Sequence, residues 1–133
     1  MATRYQARES VISLLYALDS GNDKIDKFAK DILEDNKIRH EKRAFALELF
    51  NGVKDSLEEI DKIILDQLDN RELKDLGIIE KSILRLGTYE MMNKKIDSVI
   101  IINESIELAK NLAGDTAPKF INAVMDSVKK YLD

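Results

Sequence analysis

Apolar residues recur at spacings of three and four along almost the whole chain, and no sustained apolar/polar alternation replaces them. The pattern predicts helices and no strands. Ala7, Val11, Leu14 and Leu18 form one stripe, Thr3 and Gln6 have the form of a capping box, and Ser20-Gly21-Asn22 ends the run, which predicts a helix over about Arg4 to Asp19. A second helix, Asp23 to Asp35, is expected to pack through Ile25, Phe28, Ile32 and Leu33. From Ala46 onward, Phe50, Val53, Leu57, Ile60, Ile64 and Leu68 keep near-helical spacing across Asn51-Gly52 and Asp55-Ser56, as either two successive helices or one bent one. Asn70 to Gly77 reads as a turn-like linker. A central helix follows from about Ile78 to Met92, with Ile79, Ile83, Leu86 and Glu90 on one line and Leu84 and Met91 on an adjacent one. Asp97 can cap a helix that ends near Gly114 and whose stripe is Val99, Ile102, Ile106, Ala109 and Ala113. Thr116 can cap the last helix, leaving Pro118 in a first turn that tolerates it. There Lys119, Asn122, Asp126 and Lys129 make a polar line, Ile121, Val124, Met125 and Val128 an apolar one, and Phe120 falls between.

The expected fold is all-α, with six or seven helices in a single domain over residues 1–133, an N-terminal half of about 1–70 and a C-terminal half of about 71–133. A chain this long buries roughly two-thirds of its unfolded surface, enough for a core without staples. Cysteine is absent and His40 is the only histidine, which removes thiolate chemistry and a histidine-based catalytic or zinc centre. The glycines Gly21, Gly52, Gly77, Gly87 and Gly114 stand too far apart for a phosphate-binding loop. Neighbouring acids such as Glu58 and Glu59 point about 100° apart on a helix and face water. The expectation is a non-enzymatic protein with no cofactor and no metal. With no apolar block at its start and no run of spanning length, it is also expected to be cytoplasmic, without a membrane partner.

A formal net charge of −4 argues against a stand-alone, high-affinity nucleic-acid binder, because phosphate contacts dominate such affinity. Charge is local, however, and the first eight residues carry Arg4 and Arg8 without an acid. Four apart on a helix, these cations share a face and can straddle successive phosphates with Tyr5 as a stacking edge, or they are a solubilising helix end. The cluster Lys37, Arg39, Lys42 and Arg43 around His40 is interrupted by Glu41 and preceded by the acidic stretch from Asp31 to Asp35, and reads as a solvated helix start. Phe120 is either core or, beside Lys119 and Asn122 at a helix N-terminus, a ring on which an unpaired base stacks. Asn103, next to Glu104, is either a locally bonded surface amide or a polar position kept for a contact.

Three segments carry a resemblance. Ile102-Asn103-Glu104-Ser105-Ile106-Glu107-Leu108-Ala109-Lys110 is followed by Lys119-Phe120-Ile121-Asn122-Ala123-Val124-Met125-Asp126. Near the start stands Arg4-Tyr5-Gln6-Ala7-Arg8-Glu9, leading to Leu15-Tyr16, and in the middle Ile79-Glu80-Lys81-Ser82-Ile83-Leu84-Arg85-Leu86 followed by Tyr89-Glu90. In this order and at this chain length they resemble the NusB family of bacterial transcription antitermination factors. The resemblance implies two perpendicular helical subdomains. It also implies an RNA surface that includes Arg4, Arg8, Lys119, Phe120 and Asn122, with the Asn103 region as a weaker part. Tyr16 and Glu80 are implied to face NusE, a small-subunit ribosomal protein. The implied function is antitermination: with NusE the chain would bind boxA-type single-stranded RNA of ribosomal RNA leaders and act through the RNA polymerase antitermination assembly.

From the residues alone, Tyr16 can equally be a core aromatic, and Glu80 and Arg85 can be ordinary exposed charges. Two other readings stand beside the implied one: a helical accessory domain for an RNA methyltransferase, and a structural helical protein that forms a homodimer through apolar patches. The chain departs from the family pattern at Tyr5-Gln6-Ala7, where more arginine is usual, and at Ser13, where glutamine is common. It departs again at Ala123 in place of glycine, and Pro118 removes a backbone donor beside Lys119.

Overall fold

A computed structural model describes residues 2–22, 24–69 and 71–133. Its elements are α1 (Arg4–Asp19), α2 (Ile25–Asp35), α3 (His40–Asp55), α4 (Leu57–Asp66), a single 3₁₀ turn (Leu73–Asp75), α5 (Ile78–Asn93), α6 (Ser98–Leu112) and α7 (Ala117–Leu132). No strand occurs among the described residues. The chain forms two compact units, Met1–Gly52 and Val53–Asp133. The divide falls inside α3, whereas the linker pattern suggested one near residue 70, because α4 packs on α5 and α7 and so joins the second unit.

In the first unit α1 begins and ends where its sequence signals lie. The Gln6 amide donates to Thr3 Oγ1 at 3.1 Å and the Thr3 amide donates to Gln6 Oε1 at 2.9 Å, completing the capping box. Ala7, Val11 and Leu14 are buried and Leu18 is half-buried. The expected start of α2, Asp23, lies outside the described residues. The core line of α2 is Ile25, Ala29 and Leu33, not the expected Phe28, which is 46% exposed. Neighbouring helical positions point about 100° apart, so Phe28 and Ala29 cannot both face the core, and the i, i+4, i+8 row wins. Lys37 takes φ 62°, and its amide donates to the Glu34 carbonyl at 2.9 Å while that of Ile38 donates to Leu33 at 2.8 Å. These are the two bonds of a Schellman motif, completed by burial of Ile38. Glu34 then accepts from Arg39 at 2.9 Å and Arg43 at 3.4 Å, so half of the basic cluster pairs across the α2–α3 corner as a solvated helix start.

The near-helical run after Ala46 resolves into two helices, α3 and α4, broken at Ser56. In the second unit α5 is central: every residue from Ser82 to Thr88 is buried, and α4, α6 and α7 pack around it. Arg85 is therefore not an exposed charge. It is 9% exposed, and its Nε and Nη2 donate to Asp61 Oδ1 and Oδ2 of α4 at 2.8 and 2.9 Å. Gly87 lets α6 and α7 approach, since a Cβ built there would stand 2.6 Å from Met125 Sδ and 3.0 Å from Ser105 Oγ. Met125 is fully buried and Ser105 donates to the Ile101 carbonyl at 2.8 Å, so neither moves freely. Gly87→Ala is expected to lower stability by about 1 kcal/mol in urea denaturation, because overpacking outweighs alanine's better helix propensity. Propensity alone gives the opposite sign, and a stabilised variant would contradict this packing.

Asp97 caps α6 by accepting from the Val99 amide at 2.9 Å, and Gly114, with φ +95°, follows its C-cap. The buried face of α6 is not the expected stripe, however. Ile101, Ser105, Leu108 and Ala109 are buried, Ile102, Ile106 and Ala113 are half-buried, and Val99 is 55% exposed. The run Val99-Ile100-Ile101-Ile102 is apolar on every side and fixes no face. What rotates the helix is Ser105, small enough to meet Gly87 and with its hydroxyl satisfied by its own backbone. Thr116 occupies the N-cap position of α7 without a side-chain cap bond, and Pro118 sits in the first turn. Along α7 Ile121, Val124, Met125 and Val128 are buried, Lys119, Asn122 and Asp126 are exposed, and Phe120 and Lys129 are half-buried, as the two lines predict.

Candidate nucleic-acid interface

Among the described residues, each unit carries a cluster of cationic and aromatic groups. In the first, the near-terminal arginines of α1 converge on a residue that the sequence did not single out. Arg4 Cζ lies 4.8 Å and Arg8 Cζ 5.2 Å from the centroid of the Phe45 ring on α3. A guanidinium is attracted to the face of such a ring by its quadrupole. The two cations differ in access: Arg4 is exposed, whereas Arg8 is only 3% exposed. The picture of two equally projecting cations is thus corrected, and Arg4 is the one presented to solvent. Tyr5 is half-buried, and Ser13 is exposed with its hydroxyl donating to the Glu9 carbonyl at 3.4 Å. Tyr16 is 43% exposed and is therefore not a core aromatic. It stands twelve residues from Arg4, about 18 Å along α1, so the helix separates the candidate RNA and protein contacts.

In the second unit, the exposed Lys119 and Asn122 and the half-buried Phe120 share the first turns of α7, where backbone N–H groups lack helical partners. Arg71, exposed in the segment before the 3₁₀ turn, places its Cζ 5.4 Å from the centroid of the Phe120 ring. Nothing in its sequence neighbourhood marks Arg71; only the fold carries it to Phe120. Ala123 is exposed, so its methyl group crowds no core. Asn103 is exposed on α6, while Glu104 is half-buried. Glu80 is half-buried in the first turn of α5 and folds back toward Gly77, where a Cβ would lie 2.7 Å from its Oε1. A carboxylate there complements the helix N-terminus as well as offering an edge to a partner.

The two clusters are built of cations and aromatic rings. Among the described residues no group of three or more His, Cys, Asp or Glu side chains is placed to hold a metal ion, and no helix is long and apolar enough to cross a membrane.

Residues 5–130 match the NusB family. The transcription antitermination protein NusB of a Nitratiruptor species is 53% identical over 130 residues, covering 98% of this chain and 94% of its own. That of Aliarcobacter butzleri is 55% identical, covering 98% of this chain and 99% of its own. Among solved structures, T. maritima NusB superposes with a TM-score of 0.89 at 27% identity, over 97% of this chain and 92% of that one. A chain from a crystal structure of the antitermination factors NusB and NusE in complex with dsRNA gives 0.87 at 28% identity, over 96% of each. With a match this long and relatives this similar, the chain belongs to the NusB family.

Proposed function

We propose that this chain is a non-enzymatic, cytoplasmic adaptor of transcription antitermination. It pairs with NusE, and the pair binds a boxA-type single-stranded element in ribosomal RNA leaders. The observation that carries the reading is the pairing of exposed cation and aromatic ring in each unit, Arg4 with Phe45 and Arg71 with Phe120, beside the exposed Lys119, on a chain whose net charge is −4. Such a protein attracts phosphate only locally and binds RNA weakly alone. A basic partner adds the missing charge, and contacts made jointly on one RNA reinforce each other without any single strong site. The solved relative whose structure holds NusB with NusE and dsRNA supports NusE and an RNA as the partners. Preference for a single strand follows from Phe120, since a ring accepts the face of an unpaired base but not of a paired one. The RNA-bound pair then joins the antitermination assembly on the polymerase that is making the transcript.

Contacts to NusE are assigned to Tyr16 in the first unit and, separately, to Glu80 in the second. An exposed Tyr ring with a polar edge suits an interface centre, and a carboxylate suits a basic ribosomal protein. Tyr16→Ala is expected to weaken NusE binding by at least about tenfold in calorimetry, since a truncated interface tyrosine commonly costs about 2 kcal/mol. Glu80→Gln should lose less. Arg4→Ala should leave NusE binding unchanged while lowering RNA affinity and reducing the salt slope by about 0.7. Equal losses by both variants in both assays would sink this division of surfaces.

A further inference from the structure

We propose that Phe45 is a positioning residue for RNA binding: its ring holds the guanidinium groups of Arg4 and Arg8 so that Arg4 meets a phosphate already oriented. The inference rests on the RNA reading of α1 given above. A carboxylate beside Arg4 would fill the guanidinium's donor fork and cancel the charge that draws RNA. Among the described residues Arg4 has no acidic partner; its guanidinium lies against the Phe45 ring instead.

An aromatic face does what a carboxylate cannot. A guanidinium held over a ring by its charge commits no donor fork to a carboxylate, so N–H donors stay available to a phosphate. The ring thereby restricts a long, rotamer-rich side chain before binding, and ordering achieved in advance lowers the entropy lost on binding. Phe45 is half-buried, so α3 anchors the ring while leaving a face for α1. Phe45 touches no RNA in this account, and its effect passes through Arg4.

The test is fluorescence anisotropy of a boxA-type RNA titrated with the full chain in the presence of NusE. Phe45→Leu is expected to weaken binding about threefold, the scale of an exposed cation–π contact. Phe45→Tyr, which keeps the ring, should restore affinity to within about twofold. In an Arg4→Ala background, Phe45→Leu should cost markedly less than in the parent, since residues acting through one another are not additive. Arg4→Lys keeps the charge without the flat fork and should lose about as much as Phe45→Leu, so a Leu variant that fails to fold does not remove the test. Parental affinity for Phe45→Leu or Arg4→Lys, or an undiminished Phe45→Leu loss without Arg4, overturns the positioning role. If Arg4→Ala itself binds RNA like the parent, the RNA reading of α1 fails first, and that result is distinct from loss at Arg4 with none at Phe45.

Discussion

Asp61→Ala is expected to lower stability by about 2–4 kcal/mol, read from the urea midpoint with an unchanged m-value. Arg85 donates two parallel hydrogen bonds to this carboxylate, and its side chain is 10% exposed against 22% for Asp61. Removing the acid leaves a largely dehydrated guanidinium without its bidentate partner in the central helix of the second unit, and water cannot fully replace it. The partial exposure of Asp61 places the expected loss below that for a fully buried pair. The surface pairs respond differently: in Lys130–Asp126, at 3.2 Å, the side chains are 77% and 53% exposed, and Asp126→Ala should shift stability by less than about 0.5 kcal/mol. A loss at Asp61 no larger than that at Asp126 would show that the Arg85 pair does not hold α4 on α5.

Phe120→Ala is expected to produce the largest change in RNA binding, a loss of about 5- to 150-fold in the presence of NusE, corresponding to roughly 1–3 kcal/mol for a lost base stack. Phe120 is half-buried, so part of any effect of alanine is packing. Phe120→Leu separates the two: it keeps most of the apolar volume but removes the π face, and should lose most of the affinity with little change in thermal stability. NusE binding should stay at the parental level in both variants. If Phe120→Leu binds RNA like the parent, the ring is core and the stacking assignment fails.

Much of the fold was legible because the strongest helix signals are local. The Thr3–Gln6 capping box, Asp97 and Gly114 each act within a turn of their own helix, and α1, α5 and α6 begin and end within a residue or two of the expected positions. Facing was less legible where periodicity was ambiguous. Phe28 was expected inside because large apolar residues usually are, yet Ala29 lies on the row that packs. On α6 four consecutive apolar residues hid the true face, and its marker was a serine. Arg85 looked like a surface charge because its partner Asp61 is a full helix away in sequence.

The same limit applies to the interface. Helical spacing placed Arg4 with Arg8, and Lys119 with Phe120 and Asn122, on shared stretches of helix. It could not reveal that Arg8 is buried, that Phe45 gathers both arginines, or that Arg71 lies beside Phe120, because each depends on segments brought together only by folding.

The adaptor account is tested most directly by fluorescence anisotropy of a boxA-type single-stranded RNA titrated with this protein, with and without purified NusE, at two salt concentrations. The account predicts weak binding alone, binding at least about tenfold tighter with NusE, and a marked loss at the higher salt, as phosphate contacts require. Affinity that is the same with and without NusE, or no binding under either condition, would contradict it.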